Sequence, residues 1–262
     1  MTTVGIVGAG TVGSYFAAAC TAAGITVIVA DLDHDCACSL VRSLPHSERA
    51  SAVESITDPA GFDVLVEAVP EVRSVKIDVL TRLTGRADAL LVTTTSAFTV
   101  TELAAALPQP ERLVGVHVMP ATPHGNLAEI AAGSRSDEAY VAKARMLATS
   151  LGWTPLDVRD RPGRLTRRLV LPFFHQVVQA LDDGLASAAD IDRVVTLGLG
   201  HRRGPLAVLD STGLDDQLAT SEAMFDALHD PAIAPPPLLA HLVAAGQFGD
   251  KTGAGFFVEK QQ

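Results

Sequence analysis

Val4-Gly5-Ile6-Val7-Gly8-Ala9-Gly10-Thr11-Val12-Gly13 opens a stretch of 28 residues that closes on Ile25-Thr26-Val27-Ile28-Val29-Ala30-Asp31. A short apolar run, a glycine turn, small residues over 11–23 and a second apolar run ending in an acid read as strand, turn, helix and strand. Gly8, Gly10 and Gly13 make a GxGxxG motif. In a dinucleotide site the first glycine permits the tight turn, the second lets backbone approach a pyrophosphate, and the third lets helix pack on strand. The pyrophosphate then sits on the free amides of Thr11, Val12 and Gly13, where the helix dipole favours an anion. Asp31, 18 residues past Gly13, ends the second strand. There a carboxylate accepts from a ribose 2′-hydroxyl and repels a 2′-phosphate, so NAD is expected over NADP. Glycines alone would also suit a plain strand–helix turn; the placed acid is what separates the two.

Beyond Asp31 the apolar runs at 52–57, 63–68, 89–95, 112–118, 126–131 and 153–158 predict strands, and helical spacing covers 71–84, 100–107 and 136–151, the last with Ser136 as N-cap. Strands alternating with helices imply a largely parallel sheet covered on both faces. The pattern changes near 159–163. From there helices are predicted over 164–183, 187–197, 205–228 and 237–245, with Pro172 bending the first. The expectation is an α/β protein: an N-terminal Rossmann-like dinucleotide-binding domain over 1–160 and a C-terminal all-helical domain over 161–262 serving substrate and dimer contacts.

The 262 residues are 48% hydrophobic with a net charge of −10. That suits a soluble protein with a substantial core and argues against general nucleic-acid binding. No apolar run is long enough to span a membrane, no leader segment is visible, and Cys20, Cys36 and Cys38 fit neither a zinc site nor a disulfide framework. A cytoplasmic location is expected. The histidines show no metal-ligand spacing, and no metal is expected.

Three polar positions follow or lie on strands in the second half of the sheet: Ser96, His117 and Glu129. Carboxyl ends of strands in an open sheet face the ligand crevice. A histidine there can move a proton near neutral pH, and a carboxylate on its second nitrogen fixes its tautomer. The bland alternative is a structural histidine and a solvated glutamate.

Several motifs then resemble one family in order: Gly8–Gly13, Glu67-Ala68-Val69-Pro70-Glu71, Ser96 with Thr101-Glu102-Leu103, Gly115-Val116-His117, Asp190-Ile191-Asp192, Gly198-Leu199-Gly200-His201 with Gly204-Pro205-Leu206, and Lys251-Thr252-Gly253. The chain is similar to the L-3-hydroxyacyl-CoA dehydrogenases, of the 3-hydroxybutyryl-CoA type, as a divergent member. The resemblance implies an NAD-dependent enzyme interconverting 3-hydroxyacyl and 3-oxoacyl groups, a homodimer, a His117–Glu129 acid/base pair, a catalytic Ser96, and cofactor contacts from Asp31, Glu71, Lys76 and Lys251.

The departures are as informative. The family's Asn-Thr-Ser-Ser is Thr94-Thr95-Ser96-Ala97, and its His-Phe-Phe-Asn-Pro is His117-Val118-Met119-Pro120-Ala121, which loses an asparagine to Pro120. Its Pro-Gly-Phe-x-x-Asn-Arg is Pro162-Gly163-Arg164-Leu165-Thr166-Arg167-Arg168, so Arg167 stands where a substrate-contacting asparagine is expected. Arginine is longer, cationic and donates only. The basic helical hairpin that holds CoA looks truncated after Asp31, and Asp33, Asp35 and Glu48 make the remainder less basic. An acyl-carrier-protein thioester or a small free hydroxy acid therefore stands beside the CoA ester as substrate, the role sketched being one in specialised metabolism. Arg159, Arg161, Arg164, Arg167 and Arg168, with Arg202 and Arg203, form a basic cluster in an acidic chain, suited either to an anionic partner or to pairing with Asp157, Asp160, Asp182 and Asp183; Arg164, Arg167 and Arg168 are predicted on one helix face. The alternatives are an NAD(H)-binding protein without efficient turnover and an imine reductase on the same fold.

Overall fold

The computed structural model describes residues 2–85, 88–118 and 126–257. The chain divides into two compact units, Met1–Arg164 and Leu165–Gln262. In the first, β1 (Thr3–Val7), α1 (Thr11–Ala22), β2 (Thr26–Ala30), α2 (His34–Ser43), β3 (Ala50–Val53), β4 (Val64–Glu67), α3 (Arg73–Leu83), β5 (Leu90–Thr93), α4 (Val100–Ala104), β6 (Leu113–Val118), β7 (Asn126–Ala132), α5 (Glu138–Ser150) and β8 (Trp153–Val158) build one sheet in the order β3-β2-β1-β4-β5-β6-β7-β8. All neighbours run parallel except β6 and β7. The strand order reverses between β1 and β4, the point where ligand crevices open in such sheets.

Alternation along the strands sorts the core into two layers. Val64, Val66, Val92, Val114 and Val116 pack with Phe16, Cys20 and Trp153 on one face; Leu65, Leu91, Leu113 and Ala131 pack with Leu80, Leu83 and Leu103 on the other. Burial pushes the Cys20 thiol up to about 12, as expected of an inert core residue. By the same alternation Glu67, Thr93, Gly115, His117 and Glu129 share the second face, at or near the carboxyl edge.

Three local expectations are corrected. Asp137, not Ser136, caps α5; the Ser136 hydroxyl instead donates to the Leu113 carbonyl at 2.6 Å. The segment 205–228 is two helices, α8 (Pro205–Thr212) and α9 (Leu214–Leu228), parted by Gly213 at φ 98°. Arg164 is not on a helix face: it is buried with φ 47°, and α6 (Thr166–Asp182) begins after it and runs through Pro172. The second unit adds α7 (Ala188–Arg193), a π-turn over Val194–Gly198 and α10 (Pro237–Ala244), packed around Val178, Leu206, Leu209, Leu214 and Leu239. Among the described residues no helix is long and apolar enough to cross a membrane.

Candidate active site

The glycine turn is built by contacts that only glycine allows at two points. Gly8 sits at φ 111°, and a Cβ there would lie 2.4 Å from the Ala68 carbonyl oxygen; a Cβ on Gly13 would lie 1.9 Å from the Gly8 oxygen. Gly10 is different, since a Cβ there meets nothing within 4 Å. Among the described residues the space before it is open and no side chain caps α1. Uncapped amides facing open space form an anion site that fits a pyrophosphate. Asp31 follows β2 directly. Its carboxylate accepts from the Ala9 amide at 2.7 Å and the Asp33 amide at 3.0 Å, which fixes the acid beside the turn.

From β4 to β7 runs a continuous row of buried polar groups. Glu67 accepts from the Thr93 hydroxyl (2.7 Å), the Val69 amide (2.9 Å) and Lys76 Nζ (2.8 Å). Lys76 also donates to the Val69 carbonyl and lies 3.6 Å from Glu71. Glu71 accepts from the Thr95 hydroxyl and from the Ala97 amide at 3.2 Å, so it holds the loop that carries Ser96. Burial alone would raise the Glu71 carboxyl; Lys76, the Thr95 hydroxyl and the Ala97 amide outweigh it and hold the group below the ordinary range. Burial would lower the Lys76 ammonium, and Glu67 and Glu71 reverse that. Lys76, expected among the cofactor contacts, is 1% exposed, its ammonium bonded to Glu67 and to the Val69 carbonyl.

His117 and Glu129 are register partners across the antiparallel β6–β7 pair, and Nδ1 of His117 lies 2.8 Å from Oε2 of Glu129 with both side chains buried. The strand-end histidine and the glutamate read from sequence are thus one hydrogen-bonded pair, and Glu129 is not a solvated group. Pro120, whose effect in place of an asparagine was in question, lies outside the described residues. Arg167 and Lys251 belong to the second unit. Arg167 is half-buried, its Nη1 3.4 Å from Gln217 Oε1; Lys251 pairs with Asp215 and Asp216 at 2.8 Å, which together overcome burial and raise its ammonium. Arg159, Arg161 and Arg168 are exposed, so the basic cluster divides: Arg164 is buried in the first unit while the others meet solvent. The sequence reading missed Glu67 as the acid anchoring Lys76, although its place at the end of an apolar strand marked it.

A largely parallel sheet with an open anion site at its switch point and an acid after β2 defines a dinucleotide-binding fold. Comparison with known proteins makes it specific. Residues 45–161 match the model of the 3-hydroxyacyl-CoA dehydrogenase NAD binding domain, and residues 163–259 that of the C-terminal domain. A 3-hydroxybutyryl-CoA dehydrogenase of Mycobacterium tuberculosis is 32% identical over 97% of this chain and 97% of its own. Among solved structures, FadB2 of M. tuberculosis superposes with a TM-score of 0.88 at 29% identity, covering 98% of both chains. The (S)-3-hydroxybutyryl-CoA dehydrogenase PaaH1 of Ralstonia eutropha does so with 0.84 at 30% identity over the whole of both. The chain belongs to the 3-hydroxyacyl-CoA dehydrogenase family and is an NAD-dependent oxidoreductase.

Proposed function

We propose that this enzyme interconverts a 3-hydroxyacyl and a 3-oxoacyl thioester, with His117 as acid/base, Glu129 as its orienting carboxylate and Ser96 as the donor that positions the substrate oxygen. The observation that carries this is the buried 2.8 Å contact between His117 Nδ1 and Glu129 Oε2 on the carboxyl half of the sheet. With Nδ1 committed to Glu129, Nε2 is the nitrogen that exchanges the proton with the substrate oxygen, and Glu129 stabilises the imidazolium that results. When bound, NAD would supply the hydride acceptor. Glu71 keeps the Ser96 loop in place through Thr95 and Ala97. Asp31 selects NAD, and the amides of Thr11, Val12 and Gly13 hold its pyrophosphate. Arg167 contacts an anionic or carrier-bound part of the substrate, and Lys251 is a further cofactor-side cation.

The carrier is the finer question. Relatives are named for CoA esters. Here the excursion between β2 and β3 is one ten-residue helix and a short turn, with Asp33, Asp35 and Glu48 on it. That leaves a carrier-protein thioester or a free 3-oxo acid in play. NADH oxidation with acetoacetyl-CoA, the same acyl group on a carrier protein, and the free acid, each beside His117→Ala, separates the three. Turnover of none of them, with NADH bound, would refute the reading. A homodimer fits the second unit, where Leu169, Leu185, Leu197 and Leu199 are 64–79% exposed; sedimentation velocity at micromolar concentration tests it.

A further inference from the structure

Gly163 (φ 77°) and Arg164 (φ 47°) carry the chain through two successive left-handed residues at the end of the first unit. An arginine is strained there and persists only where its surroundings hold it. The Gly163 amide donates to the Ser96 carbonyl at 2.8 Å. The Arg164 side chain is 0% exposed; Nη2 donates to the Thr95 carbonyl at 2.9 Å, Nη1 lies 3.8 Å from Asp160 Oδ1, and among the described residues Nε and Nη1 have no hydrogen-bond partner. The guanidinium fills the place a side chain on Gly115 would take, where a Cβ would stand 2.6 Å from Nη2. Gly115 and His117 are two residues apart in β6 and face the same way, a separation of about 7 Å. Across the ladder stand Ala131 and Glu129. The cation therefore sits one strand repeat behind the His117–Glu129 pair.

We propose that Arg164 is a positioning residue: its guanidinium clamps the Thr95–Ser96 backbone to the sheet and offsets the pull of Glu129 on the His117 proton. The inference rests on the acid/base reading of His117. Among the described residues, the charged groups facing this spot are Glu129 from β7, Glu71 ahead of α3 and Asp160 after β8, with Lys76 and Glu67 beyond Glu71. Asp160 is largely spent on the start of α4, accepting from the Val100 and Thr101 amides and the Thr101 hydroxyl. An apolar side chain would fill the same space without the desolvation a buried cation costs, so its charge is what distinguishes Arg164 from filler. Glu129 favours the imidazolium and Arg164 disfavours it. The two charges thus act on one imidazole with opposite sign.

The test is an NMR titration of the His117 imidazole, assigned by its loss in His117→Ala, in Arg164→Gln and Arg164→Lys beside wild type. Gln keeps a donor for Thr95 but no charge, and the His117 midpoint should rise by about one pH unit; Lys keeps the charge and should stay within a few tenths. The acid limb of kcat/KM for hydroxyacyl oxidation should move in step. Gly115→Ala is the second route, since its Cβ crowds Nη2 and displaces the cation, and the midpoint should rise again. An unmoved midpoint in either folded uncharged or crowded variant, or equal shifts in Gln and Lys, overturns the proposal. Because the titration needs no substrate, absence of turnover on every 3-oxoacyl compound would refute the proposed reaction while leaving this result readable.

Discussion

Replacing Lys76 by Met keeps the length of the side chain and removes the one cation between Glu67 and Glu71. In the folded protein the ammonium is buried, 2.8 Å from the fully buried Glu67 and 3.6 Å from Glu71, whose side chain is 14% exposed. Breaking a buried pair by removing one partner costs about 3–5 kcal/mol, because the desolvated charge left behind has no compensation. The pH dependence identifies the cause. Glu71 is held low, so its contribution is complete above its ordinary value of 4.5 and is lost as pH falls through its folded value. Lys76 is held high, so its share is complete below 10.5 and is lost only above that. The deficit of Lys76→Met should thus be larger at pH 7 than at pH 4, where Glu71 without its cation takes up a proton. Trp153, the one tryptophan, is buried in β8 and reports on this unit. Urea titration followed by its fluorescence at pH 7 and pH 4 measures both numbers. A loss under about 1 kcal/mol at pH 7, or an equal loss at both pH values as simple packing damage would give, refutes the electrostatic account.

Glu129→Gln should lower kcat by about 10²–10³ with NADH affinity unchanged by fluorescence titration, because the imidazolium loses its carboxylate while the dinucleotide turn is untouched. Gly13→Ala should abolish NADH binding or the fold of the first unit, since its Cβ would stand 1.9 Å from the Gly8 oxygen; thermal melts separate the two. His175, buried against the Ser221 hydroxyl at 2.9 Å, has its imidazole pushed down to about 4 by burial. Stability of the second unit should then fall by roughly 2–3 kcal/mol as pH drops from 6.5 to 4, and His175→Gln should flatten that slope in calorimetry.

The parts of the fold that could be read from sequence are those where local chemistry and tertiary need agree. The glycine turn, the apolar strands and the acid after β2 each satisfy their own rules. What escaped reading depends on distant groups. Arg164, Arg167 and Arg168 have the spacing of a helix face, yet Gly163 and Arg164 turn left-handed because Thr95, Asp160 and the space over Gly115 draw the side chain inward. Ser136 has the chemistry of a helix cap but is taken by Leu113, twenty-three residues earlier, and Asp137 serves instead. Lys76 is expected from resemblance as a cofactor contact, and its burial depends on partners outside its helix, Glu67 at the end of β4 first among them. The break at Gly213 was hidden in an otherwise helical run, though its glycine was the available signal.

Deuterium transfer tests the central claim most directly. Incubating the enzyme with 4-deuterated NADH and acetoacetyl thioesters, then locating the label by mass spectrometry, should give one deuterium at C3 of the 3-hydroxyacyl product, and none in the same time with His117→Ala. Cofactor that binds yet leaves C3 unlabelled on every carrier, or labelling that persists undiminished without His117, would contradict the account.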